Sequence, residues 1–449
     1  MTDVNKRTAI VVGAGIGGLS CAAALSPGFS EVWLVERDDL PARPVARRGV
    51  PQSSQAHLLL SGGYRALSDL FPGLAGDLVR AGGTPIDYLN DYRLEMVERP
   101  SKQAPSSIVS FAISRVLLEN TLRDRVRAIP NVRLLDGQTV RQVMVDRDSN
   151  AVVGVRLAAA ERGTTELTAD LVVDASGRGT LLKSAFEGLD LPLPPRSEIE
   201  FGVSYSTVRY RNVATPGTSR AVVTYPFEDG DPYGGILLPI EEDTYTATVV
   251  CGSGLKAPRD PGSFAAGMAK IRTTTIATAL ARAEPVGPIE TFSFPRATWL
   301  HLEEATRLPG GFVAIGDSYC RFNPIYGQGM SIAAIGATTL RSLIKAGTPI
   351  EHLFEGYLRK MSPLIRHVWD AAVASAQSGT APNEQGRRRR EYQLAVLRAA
   401  SRDAAVAEVV LGVAHLLRPS QELQAPEIAS RVQRELEAGS AVYGPAPTM

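Results

Sequence analysis

The sequence predicts an α/β chain in which a dinucleotide-binding unit is interrupted by a mostly antiparallel sheet and followed by helices. Three observations carry this. Residues 9–25, AIVVGAGIGGLSCAAAL, run from an apolar strand through a glycine turn into a helix of small residues. Residues from about 198 to 302 are short strands with little helix between them. The chain then returns to an apolar strand, GFVAIGDS, and enters a long helix through RFNPIYGQGMSIAAIGATTLRSLI.

In the first segment Gly13 allows a tight turn and Gly15 lets the backbone approach a pyrophosphate. Gly18 lets the helix pack on its strand, with the positive helix end aimed at the phosphates. Glu36 ends WLVE at the distance expected of a carboxylate that takes ribose hydroxyls. Arg37 beside it, and Val140 in the strand TVRQVMVD, join the candidate cofactor contacts. The loop PARPVARRGVPQSSQAH is too basic for a core, and its Arg47 or Arg48 can reach phosphates or flank a ring system. Residues 114–127 form a helix with Leu117, Leu118, Thr121, Leu122 and Val126 on one face and Arg115 at its head. The strands VRLLDG, TVRQVMVD, AVVGVRLAA and ELTADLVVDASG follow, separated by turn residues.

The inserted segment contains EFGVSYSTVRYR, RAVVTYPF, GGILLPI, TYTATVVCG and, after one helix, IETFSFPRATWL, the pattern of an antiparallel sheet. Tyr205, Tyr225 and Tyr233 are its candidates for facing a cavity. In the returning segment Asp317 is placed to accept from a polyol chain and Pro324 breaks the chain. Gly327, Gln328, Gly329 and Met330 open a helix whose end amides suit an oxygen that becomes anionic on reduction. These patterns divide the chain into a discontinuous cofactor unit, residues 1–185 and 303–345, a substrate sheet, residues 186–302, and a helical region, residues 346–449.

Composition narrows the functional classes. The 449 residues are 44% hydrophobic and 21% charged with a net charge of +1, an ordinary soluble composition without a general pull toward nucleic acid or membrane. Cys21, Cys251 and Cys320 are far apart, with no CxxC pair and no His cluster, so neither a metal site nor a disulfide framework is suggested. The first apolar run contains the glycine turn and reads as neither a signal peptide nor a membrane span, so a cytoplasmic location is expected. The C-terminal region reads as helices near residues 352–376, 387–417 and 427–437. Its run Arg387, Arg388, Arg389 and Arg390 is a solvated face or a docking patch for an acidic partner such as a reductase or carrier protein.

GAGIGGL with Glu36, Arg115 at its helix head, GD at Gly316 and Asp317, and PIYGQGMSIA together resemble the flavin monooxygenase superfamily that includes para-hydroxybenzoate hydroxylase and squalene epoxidase. With RGVPQSSQAHLLL, GGILLPI and FNPIYGQGM, the resemblance is closest to bacterial natural-product epoxidases and hydroxylases such as the lasalocid and monensin epoxidases. It implies a glutathione-reductase-type FAD domain, with Arg47 or Arg48 on the FAD. It implies further that a flavin C4a-hydroperoxide passes oxygen from O2 to an alkene or arene of a hydrophobic polyketide, terpenoid or aromatic intermediate. Electrons would come from NAD(P)H, directly or through a separate flavin reductase. VVDASGRGT keeps only Asp174, Gly177 and Arg178 of the DG motif that aromatic hydroxylases tie to NAD(P)H. Because the flavin carries the chemistry, no catalytic side chain is assigned, and His57 in SQAHLLL is read as packed or capping.

Three relatives of the scaffold compete. Halogenases carry a WxWxIP motif, and here the matching strand reads Gly234, Gly235, Ile236, Leu237, Leu238, Pro239; Lys102 is the only lysine between Arg37 and Arg115. Geranylgeranyl reductases share the PxxGxGM-like segment and would reduce an alkene. Rab GDP-dissociation inhibitors share the fold as non-enzymatic binding proteins.

Overall fold

The computed structural model describes residues 7–95, 100–158, 164–215, 219–224, 232–252, 254–377 and 384–442. At its centre is a five-stranded parallel sheet, in the order Phe312–Ala314, Leu171–Asp174, Thr8–Val12, Glu31–Val35, Val132–Leu135. Ile10, Val11, Val172 and Val173 are wholly buried, as expected of parallel strands covered on both faces. The first strand lies in the middle, and strands more than 160 residues away in sequence extend the sheet on one side. The sheet is thus completed by strands from distant parts of the sequence.

Small residues bring the covering helices close. The helix Ile16–Leu25 packs against Gln328–Lys345 and Arg115–Arg127. A Cβ added at Gly17 would stand 3.3 Å from the Ala333 Cβ, so these two helices meet almost backbone to backbone.

The second sheet has seven strands, in the order Cys320–Arg321, Glu284–Leu300, Arg196–Arg211, Thr244–Cys251, Tyr233–Ile240, Ala221–Thr224, Tyr92–Glu95. All pairs are antiparallel except the last, where Tyr92 pairs with Ala221 in a parallel register. Its two faces alternate along each strand. Ile236 and Leu238 join the main core, while Leu237 joins a smaller core with Phe264, Met268 and Ile276. That smaller core is covered by two helices, Pro261–Ala269 and Thr275–Leu280, where the sequence reading has one.

The C-terminal helices are Leu353–Gln377, Glu384–Arg402, Ala404–Ala414 and Pro426–Val442. The single helix expected over residues 387–417 is broken at Asp403, whose side chain accepts from the Ala405 N–H and caps a new helix. Residues 387–390 lie inside Glu384–Arg402, where Arg388 pairs with Glu384 one turn back. The His415 ring centre lies 4.1 Å from that of Tyr88, and its Nδ1 accepts from the Ser61 N–H, which fastens this region onto the helix Ser61–Leu70. Among the described residues no helix is long and apolar enough to cross a membrane.

Candidate active site

The glycine turn begins where the first strand ends. Gly13 has φ +100°, and a Cβ there would lie 2.6 Å from the Ala175 carbonyl oxygen, so only glycine fits without shifting the neighbouring strand. Gly18 abuts the Gly13 carbonyl and fixes how the helix sits on its own turn. Gly15 differs, because a Cβ there would find only the Arg115 Nη2, at 4.0 Å. It caps Ile16–Leu25 without a side-chain hydrogen bond, leaving the helix end open to a cavity.

Glu36 follows the second strand and is 5% exposed. Its Oε2 accepts from the Ala14 N–H at 2.7 Å and its Oε1 from the Asp38 N–H at 3.1 Å. Arg47 lies beside it, with Nη1 3.2 Å from Glu36 and 3.1 Å from Asp38, and Nε 2.7 Å from Glu119. Its Nη2 also donates to the Ala14 carbonyl at 3.1 Å. Burial alone would lower the Arg47 pKa, but Glu119 and Glu36 outweigh that and hold it above the ordinary arginine value. Arg47 therefore braces the glycine turn from behind. Arg48 is exposed at the rim of the same cavity and Arg37 is partly buried there.

Arg115, at the head of its helix, projects toward Gly15. Burial lowers its pKa, opposed by Glu119, whose Oε2 lies 3.5 Å from Arg115 Nη2. Among the described residues the buried Arg115 Nε has no hydrogen-bond partner. An orphaned guanidinium donor beside an open helix end fits an incoming anion.

The opposite wall is the returning segment. Gly316 has φ +54°, and Asp317 follows it into the cavity. The surrounding protein raises the Asp317 pKa, opposed by Arg321 and Arg115. Pro324 starts a short turn ending at Gly327, which caps Gln328–Lys345 at φ +66° without a side-chain hydrogen bond. Gly327, Gly329 and Met330 line the cavity, and a Cβ at Gly329 would meet only Asp317 Oδ1, at 3.9 Å. Gln328 lies between them outside the lining. The wholly buried Asp174 links the two walls: its Oδ1 accepts from the Ser176 hydroxyl at 2.6 Å and the Ser318 hydroxyl at 3.0 Å.

Between these walls runs a cavity of about 530 Å³, within the ~300–1,000 Å³ typical of small-molecule sites. From the two open helix ends it continues to a face of the seven-stranded sheet lined by Tyr205, Ile236, Leu238, Phe292 and Phe294. Val140 lines the nucleotide side. Tyr233 does not reach it: its ring packs against the smaller core on the other face of the sheet, with the Lys270 ammonium 5.1 Å from the ring centre. The alternation of a strand decides this, since Tyr233 and Leu237 share the face opposite Ile236 and Leu238. Tyr225 lies outside the described residues.

Several lining residues escape a reading of the sequence. Gln55 Oε1 accepts from Thr207 Oγ1 at 2.8 Å, and Thr207 lies 2.7 Å from Thr248 Oγ1, a polar seam in an apolar wall. His57 lines the cavity with Nδ1 2.8 Å from the Gln55 carbonyl, so Nδ1 donates and Nε2 is left as an acceptor. Burial beside Arg115 pushes the His57 pKa down to about 3, so the ring is neutral. Phe294, Arg321 and Glu119 gave no local signal, because their roles arise from cross-strand register and helix packing.

Two uncapped positive helix ends on one cavity, an orphaned buried guanidinium and glycines at the points of approach fit a pyrophosphate-linked cofactor with a long ring system. A family of FAD dependent oxidoreductases matches residues 9–208. The chain is also 32% identical to Protein Rv3254 of Mycobacterium tuberculosis over 350 residues, 76% of this chain and 73% of that protein. The chain belongs to the FAD-dependent oxidoreductase family. FAD is this oxidoreductase's cofactor, and the residues present fit it. It is 34% identical to mouse squalene monooxygenase over 185 residues, 39% of this chain and 29% of that enzyme. In fold it is similar to the flavin-dependent brominase Bmp2, with a TM-score of 0.65 and 16% identity over 97% of this chain and 99% of that one.

Proposed function

We propose that this oxidoreductase is a monooxygenase that places one oxygen atom of O2 on a hydrophobic polyketide, terpenoid or aromatic intermediate, by epoxidation or hydroxylation, with epoxidation favoured. The observation that carries this is the continuity of one cavity from two open helix ends to an apolar aromatic wall. The stretch shared with squalene monooxygenase supports the same reading.

When bound, the flavin supplies the oxygen-transfer chemistry. The protein supplies the rest. In this reading the Gly15 end of its helix and Arg115 hold the pyrophosphate, Glu36 takes a ribose hydroxyl and Asp317 takes the polyol chain. The amides at Gly329 and Met330 stabilise negative charge at the pyrimidine edge of the ring. Tyr205, Phe292, Phe294, Ile236 and Leu238 exclude water and orient the substrate over the ring. His57, held neutral with Nε2 as acceptor, adds no positive charge to this wall. An alkene needs no base from the protein, whereas a phenol would benefit from one, and the apolar wall supports the alkene.

Electrons come from NAD(P)H, directly or through a separate flavin reductase. Halogenation is disfavoured because Gly234 and Ile236 occupy the strand where halogenases carry tryptophans. Incubating the holoprotein with NAD(P)H, with and without a flavin reductase, oxygen-18 gas and a panel of apolar alkenes and phenols tests the proposal. One labelled oxygen per product supports it. Saturated alkenes without label would replace it with a reductase of the geranylgeranyl type, and substrate bound without turnover would favour a binding protein.

A further inference from the structure

Arg321 lines the cavity, and among the described residues no carboxylate lies within ion-pair distance of it. Arg321 belongs to the two-residue strand Cys320–Arg321 and pairs with Thr298 at the edge of the seven-stranded sheet. Its guanidinium lies 4.9 Å from the centre of the Phe294 ring, and both residues line the cavity. Among the described residues no carboxylate forms an ion pair with Arg321, and its side chain donates no hydrogen bond to protein. Asp317 is near enough to feel its charge, but feels Arg115 as well. The contrast with Arg47, gripped by Glu36, Asp38 and Glu119 at the other end of the cavity, is direct.

A guanidinium has five donors in a planar fork that matches a carboxylate. With its carbon over the Phe294 ring, the guanidinium is in cation–π range of an aromatic side chain on the cavity that Arg321 also lines. Phe292 and Tyr205 continue that wall, their ring centres 6.3 Å apart. We propose that the substrate carries a carboxylate that pairs with Arg321 while its apolar body lies along Phe294, Phe292 and Tyr205. The substrate class is therefore an apolar-bodied carboxylic acid. This deepens the proposed function and rests on that reading for the reaction, though not for the binding.

The test is equilibrium binding to the oxidised holoprotein, read by calorimetry and by the perturbation of the flavin spectrum. The probes are three acids, trans-cinnamate, 4-phenylbutyrate and decanoate, each paired with its primary amide, which keeps the body and removes the charge. The expected result is at least one acid binding about tenfold or more tighter than its amide, as a charge-assisted pair requires. Arg321→Gln brings that acid to the level of its amide, Arg321→Lys keeps part of the preference, and both variants keep their flavin. Three outcomes overturn the proposal: no acid preference in any pair, a preference that survives Arg321→Gln, or loss of flavin from Arg321→Gln, which would make Arg321 a cofactor contact. Because no oxygen or electron donor is present, the two readings fail separately. An acid preference without oxygen-18 incorporation leaves the subsite and removes the monooxygenase; labelled product without an acid preference does the reverse.

Discussion

Arg47 and Glu119 meet through a 2.7 Å hydrogen bond from Nε to Oε1, both side chains 7% exposed. They join a loop to a helix 72 residues further on, directly behind the glycine turn. Removing one partner of a buried pair leaves an uncompensated charge, at a cost of about 3–5 kcal/mol. Arg47→Ala takes the shared guanidinium from Glu36, Asp38 and Glu119, leaving Glu119 only the 3.5 Å contact with Arg115, and is expected to lower stability by that order and to release flavin. Arg47→Lys should fall between, because an ammonium cannot reproduce the fork that reaches three carboxylates and the Ala14 carbonyl. Denaturant midpoints with flavin release measured on the same samples check this.

The glycines divide into those that shape the backbone and those that leave room. Gly13→Ala forces a side chain onto a φ of +100° and into the Ala175 carbonyl, so a folding defect is expected. A Cβ at Gly329 meets only Asp317 Oδ1, at 3.9 Å, so Gly329→Leu adds its bulk to a position that lines the cavity. That variant is expected to fold with a melting temperature near the parent and to lose flavin. Circular dichroism melts beside flavin-to-protein ratios separate the two outcomes.

The polar seam across the apolar wall gives a third expectation. Thr207 is 2% exposed and its hydroxyl proton goes to Gln55 Oε1, so Thr248 must donate to Thr207 in turn. Thr207→Val leaves the Gln55 carbonyl oxygen unmet in a desolvated site, at a cost of about 1–3 kcal/mol. Thr207→Ser keeps the hydroxyl and should lose less. Chemical denaturation of both variants checks the order.

That the glycine turn, Glu36 and the GD segment meet at one cavity was legible in the sequence, because backbone sterics dictate glycine at fixed spacing there. Arg47's role was not, since nothing local shows that Glu119 comes round behind it. Strand alternation, once register is known, puts Tyr205 on the cavity and Tyr233 on the opposite face; the register depends on pairings such as Tyr205 with Phe292 and Tyr233 with Cys251. Tyr92–Glu95 joins the second sheet by a parallel pairing with Ala221–Thr224 more than 120 residues away, a contact that local pattern does not announce. At Asp403 the helical periodicity runs on through a cap, so the break between two helices is visible only in the fold.

Two buried histidines contribute to the pH dependence of stability. Burial pushes His57 and His415 down to about 3, against 6.5 unperturbed. Both stay neutral in the folded protein where the unfolded chain would protonate them. The unfolded state thus binds more protons between about pH 6.5 and 3, and stability falls as pH drops through that window. Above it these residues make no pH-dependent contribution. His415→Gln should flatten the decline while weakening the hydrogen bond from the Ser61 N–H. Urea unfolding at about pH 5 and 7.5 for parent and variant checks this, and equal slopes in the two proteins would contradict it.

Oxygen activation by FAD in this cavity can be tested by rapid mixing without a known substrate. The holoprotein is reduced in the absence of oxygen, mixed with oxygenated buffer and followed through the flavin spectrum. The expected result is a transient spectrum that matches neither reduced nor oxidised flavin, lengthened in life when a bound apolar ligand closes the wall of Phe292 and Phe294. A direct return to oxidised flavin, with and without such ligands, would contradict it and make the protein a dehydrogenase or reductase.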